Sequence, residues 1–231
     1  MDPLSDAILV APLFLIYQAG ILSGRGQNGV DMLTRALVDL AARDLGNYLL
    51  LLALALATWA ALLVLLRRAG RFNPGVFVPM ALEAGFYAVS MGSIILFVIA
   101  HIAPIVPGLR AARLAAADVP AALPWLDVLV ISAGAGFHEE LLFRLLGVGG
   151  AAWLIHPLLG RTRAFVVAVL LSSLAFALAH HIGPAGEPFT FAAFVYRSLA
   201  GVFFALVYRV RGFAVAAWSH ALYDVYVLGL G

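Results

Sequence analysis

Long apolar runs separated by short polar breaks make up most of the chain. Residues 7–22, 47–66, 76–105, 125–158, 164–182, 189–207 and 213–230 are apolar over most of their length. The breaks between them, among them SGRGQNG, RRAGR, PIVPGLR, GPAGEP and RVRG, are rich in glycine, proline and arginine. A helix needs roughly 20 apolar residues to cross the hydrocarbon core of a bilayer. Inside that core the backbone has no water to bond to, so such runs satisfy their own hydrogen bonds as helices. The pattern predicts an all-α fold, a polytopic membrane bundle of about six to eight transmembrane helices. The connections are short and no second domain is visible, so residues 1–231 read as a single integral membrane domain.

One stretch departs from this pattern. In DMLTRALVDLAARDLG (residues 31–46), Met32, Leu33, Ala36, Leu37 and Leu40 recur at helical spacing, while Arg35, Asp39, Arg43 and Asp44 decorate the other side. That is the pattern of a helix lying in the membrane interface or of a solvated connecting helix. No period of 20 to 50 residues recurs, and no low-complexity tract stands out from the Ala/Leu/Val bias.

Composition agrees with the run pattern: 64% of the residues are hydrophobic, 11% are charged, and mean hydropathy is +1.04. Acidic residues in MDPLSDAILV stand where a signal peptide carries positive ones, so the first run is expected to be a retained helix. With no cysteine, neither a disulfide framework nor a thiolate site can be built. All fourteen basic residues are arginine, and a scattered net charge of +2 excludes a nucleic-acid groove. Arg67, Arg68, Arg71, Arg161, Arg163, Arg209 and Arg211 follow the second, fourth and sixth runs, against Arg25, Arg35, Arg43, Arg110 and Arg113 on the other side. The excess favours a cytoplasmic N-terminus.

Ionisable residues inside spans are costly and usually face a bundle interior or a wet cavity. Three sets stand out: His138, Glu139, Glu140 and Arg144 in GFHEELLFR; Phe176, His180 and His181 in FALAHH; and His220 and Asp224 in HALYD. Residues four apart share a helix face, so Glu140 meets Arg144 and His220 meets Asp224. Glu followed four residues later by Arg is the favoured order for a helical ion pair, whereas Glu139 lies about 100° around the helix. In a partly dry site, Glu139 suits a general base. His180 or His181 from another helix could share an activated water, and His220 could donate to charge on a substrate oxygen. Taken alone, a Glu/Arg pair is as often structural as functional. A lone membrane histidine such as His101 or His156 reads as a helix contact, and Trp125, Trp153 and Trp218 as interfacial anchors or packing. Arg197, within FAAFVYRSLAGVFF, would bind a substrate carboxylate or else Glu83, Asp127 or Glu140.

In order along the chain, EELLFR, FALAH and HALYD fit the patterns EExxxR, FxxxH and HxxxN/D. The chain in this respect resembles the CAAX protease and bacteriocin-processing (CPBP) family of intramembrane endopeptidases, over a motif-bearing core of about 125–230. The resemblance implies a metal-free glutamate mechanism without a cofactor. In it, Glu139 and His180 would activate water for peptide-bond cleavage, and His220 and Asp224 would stabilise the oxyanion. Glu140 and Arg144 would support the site or the polar end of the substrate. The implied partners are the bilayer and a protein or peptide substrate, lipidated or carrying a C-terminal sorting tail, in a prokaryotic inner or plasma membrane.

Two positions depart from the family pattern. Leu145 and Leu146 follow Arg144 where a glycine is common, and Asp224 stands where prenyl-processing members typically have Asn. An ionised Asp cannot donate to an oxyanion; Asp224 would either be protonated or orient His220 as carboxylates orient catalytic imidazoles. The change points away from a prenylated CAAX tail, toward other sorting tails or bacteriocin leaders. Three rival classes use the same residues. Two His and a Glu could hold zinc in a membrane metalloprotease, although HExxH is absent. Buried carboxylates and histidines could relay protons in a transporter, although no repeated half is evident. A non-catalytic scaffold or immunity protein would not need all three motifs intact.

Overall fold

The computed structural model describes residues 2–25, 31–41, 43–68, 70–102, 123–183 and 186–230. PIVPGLR, the last residues of the 76–105 run, Arg110, Arg113 and parts of the SGRGQNG and GPAGEP turns lie outside the described residues. All regular structure among the described residues is helical. The helices are α1 (Pro3–Leu22), α2 (Met32–Leu40), α3 (Leu45–Leu66), α4 (Phe77–Ile102), α5 (Trp125–Leu159), α6 (Arg161–Ala179), α7 (Phe191–Arg211) and α8 (Phe213–Leu230). Apart from α2, each is part of a segment long and apolar enough to cross a membrane, seven in all. The chain is an integral membrane protein.

Polar residues at the edges of the runs act as helix caps. Asp2 accepts from the Ser5 amide (3.1 Å) and the Ser5 hydroxyl (2.6 Å), so α1 starts four residues before the apolar run does. Those bonds, the hydroxyl first, hold the Asp2 carboxyl below the usual carboxylate range. Asp31, Asp44 and Thr190 cap α2, α3 and α7 in the same way. On α2, Thr34 is buried while Leu40 is exposed. At the other end of α6 the helix stops at Ala179, short of the expected residue 182, which places His180 just beyond it.

The centre of the bundle is α8, which packs against α1, α4, α5 and α7. Its segment Ala214, Val215, Ala216 and Ala217 is fully buried. Small residues let transmembrane backbones approach closely, as at Gly136 of α5. A Cβ there would lie 2.5 Å from the Ala217 carbonyl oxygen, so only glycine fits. This contact sets the carboxylates of α5 beside the histidine of α8. Single residues, Gly160 and Gly212, join α5 to α6 and α7 to α8; the latter turn needs φ of 100°, a glycine conformation. Near that turn Asp6 accepts from the Ala214 amide at 3.0 Å, and Arg211 grips Glu83 with two bonds of 2.5 and 2.7 Å.

The expectation of one regular α-helix over 125–158 needs correction. It is α-helical over Trp125–Gly134 and Ala151–Leu159, but π-helical over Ala135–Glu139 and Leu141–Gly150. In a π-helix each N–H pairs five residues back, a wider turn that recurs at functional sites. The stretch holds the charged cluster and Gly136, Gly147, Gly149 and Gly150, residues that do not by themselves distinguish a π-helix from an α-helix. Ser172 of α6 donates to the Phe143 carbonyl at 2.5 Å, a side-chain partner for the backbone of the wide stretch.

Candidate active site

Glu139 and Arg144, in the two π-helical stretches of α5, and Glu140 between them are 3%, 1% and 0% exposed. Burying three charges is tolerable only with close partners. Glu140 has two: its Oε1 accepts from His220 Nδ1 at 2.8 Å and lies 3.1 Å from Arg144 Nη1. The Arg144 guanidinium also lies over the rings of Phe176 (4.3 Å) and Phe204 (5.3 Å), whose faces attract a cation. The pair expected from the four-residue spacing is therefore present, and it is extended by a histidine from α8.

Glu139 turns to a different set of groups. Its Oε2 lies 3.6 Å from His180 Nε2 and 4.0 Å from His220 Nε2. His180 donates its Nδ1–H to the Phe176 carbonyl at 2.8 Å, which fixes the tautomer and presents Nε2 to the carboxylate. His220 is stacked on Phe204 at 4.6 Å. On its Nε2 side, Asp224 Oδ2 stands at 3.8 Å. The sequence suggested Asp224 as the residue that holds His220. In the structure Glu140 accepts the hydrogen bond from Nδ1–H, and Asp224 shares the Nε2 side with Glu139.

Seven of the expected residues, Glu139, Glu140, Arg144, Phe176, His180, His220 and Asp224, thus converge from three helices and the residue that ends α6. Two others are turned to other partners. His181 points away, its Nδ1 donating to the Glu187 carbonyl at 3.2 Å and its ring against Phe189. Arg197 pairs with Glu187 at 2.5 Å, and with none of the acids considered for it. Glu83 is held by Arg211, Asp127 by Arg25, and Glu140 by Arg144 and His220. The chain turns back after His180, with the Glu187 amide donating to the His180 carbonyl at 2.9 Å, and so delivers an acid the spacing did not suggest. His101 and His156 bond to backbone carbonyls of their own helices, outside the cluster. Trp218 donates to the Leu9 carbonyl at 2.8 Å, a packing role. Phe204, which covers both His220 and Arg144, was missed because a phenylalanine in an apolar run carries no signal of its own.

Chemically, the cluster is a buried carboxylate between two imidazoles, next to a second carboxylate locked in an ion pair. Among the described residues no group of three or more His, Asp or Glu side chains is arranged to hold a metal ion. Residues 121–226 match a protein-family model described as type II CAAX prenyl endopeptidase Rce1-like. Comparison with curated proteins and with solved structures gave no match.

Proposed function

Residues 121–226 form a domain of the Rce1-like type II CAAX prenyl endopeptidase family, a family of peptidases, and from that premise we propose that Glu139 and His180 activate the water of an intramembrane endopeptidase. Glu139 takes a proton from water as the oxygen attacks the peptide carbonyl carbon. The tetrahedral intermediate collapses with loss of the amine, which receives that proton. His220, its Nδ1–H held by Glu140, presents an Nε2–H to the oxyanion in its imidazolium form. Glu140 and Arg144 position His220. The substrate is a membrane-associated or C-terminal segment of a protein, lipidated or with a sorting tail, in a prokaryotic inner or plasma membrane.

The observation that carries this reading is the position of Glu139, 3% exposed, with histidines of two other elements 3.6 and 4.0 Å from one of its oxygens. Comparing the C-termini of membrane proteins in cells with the wild type and with Glu139→Gln tests it. A set of cleaved termini should vanish in the variant, with a rate loss of ~100-fold or more for a missing general base. Unchanged termini, with the variant folded, would refute the assignment.

Asp224 has its own test. It stands on the Nε2 side of His220, where a carboxylate supports the imidazolium form. Asp224→Asn removes that charge and should depress cleavage and alter its pH profile. Full activity with an unaltered profile would show that Asp224 needs only to donate a hydrogen bond, which an amide does at every pH.

A further inference from the structure

The end of the π-helical stretch, the last turns of α5, the first of α6 and the last of α7 line an open cavity of about 510 Å³. It lies at the end of the bundle where arginines concentrate, away from the carboxylate cluster. Arg161 and Arg209 line it, with His156 beside them. Arg25, Arg144, Arg197 and Arg211 are each paired with a carboxylate. Arg161 and Arg209 form no ion pair among the described residues. Arg209 instead rests on the ring of Phe165 at 5.6 Å. Asp6 is engaged by the Ala214 amide. The rest of the lining is apolar or aromatic, including Val148, Ala152 and Trp153, and Trp153 is 73% exposed at the rim. Gly160 gives the first amides of α6 no side-chain cap.

An open cavity that combines two exposed arginines, without an ion pair among the described residues, with an apolar wall at the end of membrane-spanning helices has the chemistry of a phospholipid site. Arginine binds phosphate through paired N–H donors, exposed tryptophan sits at headgroup level, and basic pockets between transmembrane helices take anionic headgroups. We propose that this cavity binds the headgroup phosphate of an anionic phospholipid, with Trp153 and Phe165 against its glycerol and upper acyl chains.

The test uses the full chain in nanodiscs of phosphatidylcholine with or without phosphatidylglycerol, with thermal unfolding and lipid retention in native mass spectrometry as readouts. Phosphatidylglycerol should raise the unfolding temperature of the wild type and be retained at one copy. The double variant R161Q/R209Q should bind it on the order of 30-fold more weakly, at the usual increment for two basic groups near a charged headgroup. W153A, altered at an exposed side chain on the apolar wall, should also weaken retention, which keeps the proposal open to refutation if the double variant does not fold. R67Q/R68Q, changed at arginines after α3, should behave as wild type. Retention unaffected by R161Q/R209Q or by W153A would overturn the proposal, and equal loss in R67Q/R68Q would reduce it to a diffuse surface charge. A full thermal shift from inorganic phosphate alone would assign the cavity to free phosphate instead.

Discussion

α3 and α8 are both membrane-length helices, and they spend their surfaces in opposite ways. α3 is an almost unbroken leucine and alanine helix, yet Tyr48 is its only buried residue among those described. α8 carries Ser219, His220 and Asp224, and eight of its residues are buried. In water the more apolar helix would be the inner one. In a bilayer, lipid chains solvate leucine as well as another helix does, so helices associate through close packing and polar contacts. Alanines, a glycine contact and a histidine therefore define the interior, and leucines such as Leu50 and Leu54 define the lipid face. In this protein the chemistry follows the small and polar residues.

If that contrast is right, substitutions should grade by position and not by hydrophobicity. Glu140→Ala should have the largest effect on stability, because it leaves Arg144 buried without its carboxylate and strips His220 of its Nδ1 acceptor. A loss of about 3–5 kcal/mol is expected for breaking a buried pair, read as a lower thermal unfolding temperature in detergent. A stability like the wild type's would mean that the polar contacts do not hold α8 in place. Gly136→Ala comes next, since its methyl must push the α8 backbone away from Ala217. Overpacking of this kind costs about 1–3 kcal/mol, and a shift of His220 by ~1 Å would lower cleavage by ~100-fold. Activity and stability both preserved would show that the close approach is not required. Leu54→Ala on α3, which removes more apolar volume than either, should change stability by no more than about 0.5 kcal/mol. A large drop there would reverse the contrast, by making α3 an interior helix in the membrane.

Hydropathy alone made the seven spans legible, because the cost of an unsatisfied backbone in lipid leaves few alternatives to a long helix. The boundaries of α8 coincide with its run, and those of α6 and α7 differ by a few residues where capping, and not apolarity, decides. Within the cluster, contacts along one helix were legible from the four-residue repeat: Glu140 with Arg144, and His220 with Asp224. Contacts between helices were legible only as a convergence. The bond from His220 to Glu140 joins residues 80 apart, and periodicity says nothing about which helix faces which. Arg197 found Glu187 because a turn folds back on His180, a detail set by loop geometry. The π-helical stretch of α5 was hidden for another reason. The sequence pattern read there, residues four apart on one face, is that of an α-helix, and it carries no mark of the wider turn.

For the machinery that inserts nascent chains, the one-residue link between α7 and α8 makes those helices a single cargo. A carboxylate at the centre of a solitary helix costs roughly 3 kcal/mol on entering a bilayer, and α8 brings Asp224 together with His220. Gly212 leaves no length of chain for the two helices to enter independently. In the folded chain they form a hairpin in which Phe204 of α7 lies against the His220 ring. The imidazole that would burden α8 on its own is thus covered within the hairpin.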